Sequence, residues 1–552
     1  QSPLTADTRS RSIGTVGAVR GAVLRGSLLV GPLVLAACAG RAGSVAEREP
    51  EIPTLTAAPT TETVPSRTEP APTDPPAEEA SEPTGPGATD APVATEDAVD
   101  EGGPTGRREP ALGGVDELFP ALGSPDVDVL SYDVRLDLTD LSAGDTRDRA
   151  MLIGEITLEA EVPLDVSGLA LDAVGLEMTD ATVDGEPADV VVQPTDLVVA
   201  LPAEREPVVT ANLGYTVEID TNRSRSELPV GWFVEGDTAH VLNQPDGART
   251  WLPSNDHPSD KAEWRFEVLA PDGLVVSANG ELVQEGNATD PWVWVEEDPM
   301  ATYLVHLVVG DFEIVDDSVA GVDGDISLTH VLPTGGLDRH AAAIGTIAPQ
   351  LDFLETVIGP YPLERYGLAF AGLVDGLAME TQGRTLLEER AQTGALGAFD
   401  ELILAHELAH QWFGNAVTPA TWSDIWLSES FATYGQWLWF DENGLQTIDS
   451  AAGTALANRQ FRGGPATGDP DVVDLFGYNV YDGGAVVLHA LRLTMGEEAF
   501  FELLPRWVAE NAGTSRSSAD FEALAGEVHG SDLSDFFAEW LYSPVLPDEY
   551  PG

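Results

Sequence analysis

A chain of 552 residues with 43% hydrophobic side chains has room for two to four domains with sizeable cores. Its 93 acidic against 27 basic residues leave a net charge of −66, which repels nucleic acid and anionic membrane faces and excludes nucleic acid as a partner. One cysteine excludes an internal disulfide framework, and Lys261 is the sole lysine in a chain that otherwise uses arginine. Such acidity fits codon bias or adaptation to salt better than steering of cationic peptides.

Residues 1–37 read as a bacterial lipoprotein signal peptide. Arg9, Arg11, Arg20 and Arg25 form a basic region, and an apolar run follows from Ser27 to Ala37. The run is too short to span a membrane and has the length of a signal sequence. It ends in Leu35-Ala36-Ala37-Cys38, which resembles a lipobox. That resemblance implies lipidation of Cys38 and attachment at the extracytoplasmic face of a bacterial cell membrane. An uncleaved anchor is the competing reading, and a lone cysteine also serves as a buried apolar residue. Residues 38–118 are rich in Pro, Thr, Glu, Ala and Gly, a composition that buries no core and reads as a disordered, extended tether.

From 119 to 332 the hydrophobic period is two. Glu155–Val162 alternates, as do Leu213, Tyr215, Val217 and Ile219, and the turn pairs Asp184-Gly185, Asp272-Gly273 and Asn279-Gly280 separate such runs. The spacing predicts an all-β saddle or sandwich of many strands. His257, in the Pro-rich stretch Trp251–Ala262, reads as a surface loop residue outside any metal-ligand spacing.

From 333 to 552 the period becomes 3.6, with one long helix expected over Leu337–Ile358 and a strand over Tyr366–Ala371. Residues 401–414 then predict a helix with Leu402, Ala405, Ala409 and Trp412 on its core face and Gly414-Asn415 as its stop. On it His406 and His410 stand four apart, so one face carries both imidazoles, with Glu407 beside them. This H-E-x-x-H pattern is the zinc-protease arrangement, two histidines on the metal and the glutamate as general base. A catalytic zinc takes a third protein ligand. Glu429, 19 residues after His410, falls in the first turn of a further helix, although a first-turn glutamate also suits the helix dipole. His489, in an apolar helix, reads as a core histidine.

His406-Glu407-Leu408-Ala409-His410-Gln411-Trp412-Phe413-Gly414-Asn415, with Glu429 at that distance, resembles the aminopeptidase N family of zinc metallopeptidases, the gluzincins. The resemblance covers about 120–552 and implies two domains, without the family's large C-terminal helical domain. It implies a β domain followed by a thermolysin-like, mainly helical catalytic domain, one zinc per chain, and removal of N-terminal residues from peptides with a free N-terminus. Gly376-Leu377-Ala378-Met379-Glu380-Thr381 is similar to the family's Gly-Ala-Met-Glu-Asn motif, with Leu377 and Thr381 departing from it. It makes Glu380 the residue that pairs with the substrate's α-ammonium, and Ala378 and Met379 further substrate-binding positions. Gln244 matches the position from which the β domain reaches into the active site; alone it reads as a polar loop residue. Tyr478–His489 is similar to the family's Tyr-x-Lys-Gly segment, with Gly483 where lysine is usual. By that match Tyr481 is the phenol that donates to the oxyanion, with Tyr478 the competitor if the register slips. An endopeptidase, another zinc hydrolase of amine-bearing substrates, or a non-catalytic peptide-binding lipoprotein are the other functions this sequence admits.

Overall fold

The computed structural model describes residues 107–141, 150–219, 230–235, 238–372, 378–389 and 396–552. The leader, Cys38 and nearly all of the tether lie outside them, as do Gly376 and Leu377.

Period-two patterning in the first half becomes sheet, with alternate side chains turned to the core. In Asp128–Asp137 the inward residues Val129, Tyr132, Val134 and Leu136 are buried between more exposed neighbours. An eight-stranded sheet runs, in spatial order, Glu281–Gln284, Trp292–Ala301, Lys261–Leu269, Asp128–Asp137, Ala150–Glu161, Val208–Ile219, Glu177–Val183 and Glu186–Pro187. Its pairs are antiparallel except Asp128–Asp137 with Lys261–Leu269. A four-stranded sheet (Val275–Ala278, Leu307–Gly310, Thr238–Leu242, Gly231–Glu235) and a three-stranded one (Gly168–Asp172, Asp196–Ala200, Val190–Val192) complete the all-β region. The Asn279-Gly280 turn is fixed by chemistry as well as conformation. Gly280 has φ +79, a Cβ there would lie 1.8 Å from the Val295 carbonyl oxygen, and Asn279 Nδ2 donates to the carbonyls of Leu304 and Gln382.

His257 departs from the surface position its Pro-rich context suggests. It is 1% exposed and its Nε2 lies 3.5 Å from Asp116 Oδ2. The same carboxylate oxygen accepts the Trp422 backbone N–H at 2.6 Å. The stretch is therefore buried where the β region meets the helical one, held by a partner 141 residues away in the chain that no local pattern reveals.

A six-stranded mixed sheet belongs with the helices. Its hairpin Phe312–Gly321 and Gly324–Pro333 pairs onward with Leu368–Ala371, then Thr385–Glu388, then Ala378–Met379, with Arg365–Tyr366 beside Gly324–Pro333. Sheet partnership thus changes at about 311, some twenty residues before the 332/333 boundary that periodicity suggests. The long helix expected over 337–358 is two helices, α1 (Leu337–Ile344) and α2 (Ile347–Ile358), interrupted at Gly345-Thr346. After them come α3 (Ala398–Ala409), α4 (Trp426–Glu442), α5 (Ile448–Arg462), α6 (Asp482–Met495), α7 (Glu497–Asn511), α8 (Ser518–His529) and α9 (Ser534–Trp540). In α4 every residue from Trp426 to Phe440 is buried, the mark of a helix at the centre of its domain. It packs against α3, α5 and α6, and Gly435 faces the Ala409 methyl, so α4 lies close along the end of α3.

Candidate active site

The site forms between α3 and α4. Helix α3 starts at Gly397, whose N–H donates to Asp400 Oδ2 at 2.8 Å. Leu404, Ala405, Leu408 and Ala409 are buried and fix its rotation. That rotation turns His406 and His410 toward α4, where Glu429 stands in the first turn. The helix closes earlier than its sequence suggests, with His410 at the cap and still in the right-handed region. The two Nε2 atoms are 3.0 Å apart and each lies 3.4 Å from Glu429 Oε2.

These distances suit a shared cation. Four ligands at zinc distances stand about 3.3 Å from one another in a tetrahedron, whereas 3.4 Å is long for a direct hydrogen bond. With Nε2 turned to the metal, the His410 Nδ1–H donates to the Phe413 carbonyl at 3.2 Å, and Ser428 Oγ lies 3.0 Å from the same nitrogen. Such partners hold the ring in place. Gly414, at φ +113, makes this possible, because a Cβ there would lie 2.3 Å from Ser428 Oγ. The residues present fit a tetrahedral metal with three protein ligands and one open position.

The electrostatics agree with that donor set. Burial pushes the Glu429 carboxyl up, but His410 and His406 beside it outweigh burial and bring it down to about 2. Burial lowers His410, yet Glu429 and Glu380 overcome this and raise it to about 10 in the metal-free protein. Glu407 is buried, its Oε2 has no hydrogen-bond partner among the described residues, and burial together with Glu380 and Glu429 holds it well above the usual carboxylate range.

Glu380 follows the short strand Ala378–Met379, which pairs antiparallel with Leu386 and Leu387. Its carboxylate is buried and raised, burial being the largest cause. Gln244 Nε2, from the β region, donates to its Oε1 at 2.8 Å. Ligand atoms of Glu380, Glu407 and His410 lie within 4.8 Å of one another. Tyr481, at the start of α6, lays its ring parallel to that of His406, 5.8 Å between centroids and 12° between planes. Tyr478 points elsewhere: its hydroxyl donates to the Ala455 carbonyl at 3.1 Å and Arg462 covers its ring. His489 is buried in α6, near Tyr434.

Several residues at the site have a place in the sequence motifs but no role that the sequence assigns. Gln411 and Asn415 contact the Glu380 segment. Lys261 Nζ donates to the carbonyls of Asn415 and Ala416 at 2.7 and 3.2 Å, and Tyr303 Oη donates to the Gly414 carbonyl at 3.0 Å. Lys261 stands out in the sequence as the sole lysine, and with Ala262 it closes the stretch Trp251–Ala262, which resembles a signature of the same family as the zinc motif.

Comparison with known proteins agrees with this geometry. The model of the peptidase family M1 domain matches residues 343–540. The chain is 27% identical over 420 residues to a leucyl aminopeptidase of Saccharolobus solfataricus, covering 70% of this chain and 51% of that protein. It is 26% identical over 453 residues to aminopeptidase M1 of Arabidopsis thaliana, covering 75% and 50%. The chain therefore spans about half the length of the curated relatives it matches. Among solved structures, an M1 zinc metallopeptidase from Deinococcus radiodurans is 29% identical with a TM-score of 0.72, covering 80% of this chain and 99% of that one. A mutant of the Deinococcus radiodurans M1 zinc metallopeptidase, bound to a Tyr-Ser-Ala substrate, is 28% identical with a TM-score of 0.70, covering the same shares.

Proposed function

We propose that this chain, which belongs to the aminopeptidase N family of zinc metallopeptidases, removes N-terminal residues from peptides by zinc-dependent hydrolysis. The observation that carries this reading is Glu380, a buried carboxylate within 4.8 Å of Glu407 and of a metal-ligand atom of His410. Within one residue the α-nitrogen and the carbonyl carbon are two bonds, about 2.5 Å, apart. A chain whose α-ammonium pairs with Glu380 therefore brings its first peptide bond to the metal and no other.

Bound by His406, His410 and Glu429, zinc supplies the Lewis acidity that makes water a nucleophile near neutral pH and polarises the carbonyl. Glu407 takes the proton from the attacking water and delivers it to the leaving amine. In the metal-free protein burial holds this carboxyl above the usual carboxylate range. The Tyr481 phenol donates to the oxyanion. Gln244 holds the Glu380 carboxylate toward the incoming ammonium, and the ammonium's charge favours the ionised carboxylate. Ala378 and Met379 lie alongside as substrate contacts.

The test is digestion of a mixed peptide library with and without a chelator, using free and N-acetylated forms. Stepwise loss of single N-terminal residues from the free peptides, abolished by the chelator, is expected. Internal cleavage of acetylated peptides would make the enzyme an endopeptidase instead.

We also infer, from the basic stretch, apolar run and lipobox of residues 1–38, that Cys38 carries a lipid anchor and that the catalytic part works outside the cytoplasmic membrane of a bacterium. Cys38→Ala should then move the protein from the membrane to the soluble fraction; unchanged partitioning removes the anchor.

A further inference from the structure

The turn after the zinc helix carries a second pair of side chains with the ligands' own spacing. Gln411 and Asn415 stand four apart, each five positions on from an imidazole, and both lie beyond the end of α3. Both are fully buried, and both meet the segment that bears Glu380. Asn415 Nδ2 donates to the Glu380 carbonyl at 2.6 Å and to Gln411 Oε1 at 3.1 Å. Gln411 Oε1 accepts the Gly383 N–H at 2.9 Å, and its Nε2 lies 3.4 Å from the Glu380 carbonyl. The sheet gives this segment little support, since its strand is only Ala378–Met379 and Glu380 lies beyond it. Asn415 also touches the metal side, its own N–H donating to the His410 carbonyl at 3.0 Å. One residue thus joins the backbone of a metal ligand to the backbone of the amine-binding carboxylate. The turn is pinned in its turn by Lys261 and Tyr303 from the β region.

We propose that Asn415, supported by Gln411, is a positioning residue that sets where the Glu380 carboxylate stands relative to the metal, and so how strongly the enzyme prefers a free α-amine. This rests on the reading of Glu380 as the amine clamp. Removing the Asn415 amide leaves the Glu380 carbonyl buried without its best donor. The segment then shifts while the metal ligands, held by α3 and α4, stay.

The probes are leucine hydroxamate, which offers a metal-binding group and a free amine, and N-acetyl-leucine hydroxamate, which lacks the amine. The ratio of their inhibition constants reports the clamp without requiring turnover by the acetylated form. In Asn415→Ala the free-amine probe should weaken by about tenfold, the worth of one buried hydrogen bond. The acetylated probe should change less than about twofold and the zinc content should stay at one per chain. Asn415→Asp, the same shape without the donor, gives the same result if the alanine variant does not fold. Equal weakening of both probes, or loss of zinc, means that Asn415 only supports the helix end, and an unchanged ratio removes the role altogether. Glu380→Ala separates the two readings. If it collapses the ratio and the Asn415 variants do not, only the positioning role fails; if it leaves the ratio intact, the clamp fails and this inference with it.

Discussion

The helical region sets the metal ligands and the base on two neighbouring helices between positions 406 and 429. The β region reaches the same site from far away in the chain. Gln244 meets Glu380 across 136 residues and Lys261 meets Asn415 across 154. The first arrangement is rigid because α4 is buried on all sides and α3 packs along it; it suits groups that must hold a metal and a reacting bond to a few tenths of an ångström. The second comes from a turn and a strand end, and it acts on how a substrate is seated. On the proposed function, bond breaking would belong to the helices, and the choice of what is presented in part to the β region.

The division can be broken most severely by removing the metal. Chelation should abolish hydrolysis and added zinc restore it. In the metal-free protein His410 is raised to about 10 and so holds a proton at neutral pH, whereas a ligand imidazole must be neutral. Zinc binding should therefore release a proton from His410, and affinity should rise with pH from neutrality upward. Calorimetry in buffers of different ionisation enthalpy measures that proton, and its absence would contradict the assigned donor set. Next in size, Glu407→Gln should lower kcat by roughly a thousandfold with zinc retained, within the range for a general base. Tyr481→Phe should lower kcat by about a hundredfold with little change in KM, as for loss of an oxyanion donor. Tyr478→Phe should stay near wild type, since that hydroxyl bonds Ala455. Across the divide the effects shrink. Glu380→Ala should reduce kcat/KM on aminoacyl reporters by more than about tenfold. Gln244→Ala, removing only the neutral donor to that carboxylate, should cost about threefold to tenfold, mostly in KM. If the Gln244 variant fell as far as the Glu407 variant, the β region would share in the chemistry and the division would be wrong.

The same contrast explains how much of the molecule is legible in its sequence. His406, Glu407 and His410 stood out because a helix brings positions four apart together, and Glu429 because it opened the next helical pattern. The β-then-helical order was likewise visible in the change of period. Spacing could not separate Tyr478 from Tyr481, both close to the start of α6; only the packing of Tyr478 against α5 does so. The hairpin 312–333 alternates like the strands before it, and which sheet it joins is a long-range matter. The apolar period runs across Gly345-Thr346 and hides the break between α1 and α2. His257 looked exposed because prolines and caps surround it, while a distant carboxylate buries it. Asn415 reads as part of a helix stop, yet α3 ends earlier, at His410; that the Asn415 side chain holds Glu380 depends on a segment 35 residues upstream.

Lys261, half-buried and tied to two carbonyls beyond the zinc helix, gives the molecule its own gauge. A lysine-specific protease has one bond to cut in the whole sequence, and that bond is reached only when Lys261 and Ala262 leave their pairing with Ala301 and Met300 and Lys261 lets go of the Asn415 and Ala416 carbonyls. Under conditions where reclosure outpaces cleavage, the cutting rate measures how often this strand end opens. A ligand that binds only while the strand end is closed should slow it in proportion to its occupancy.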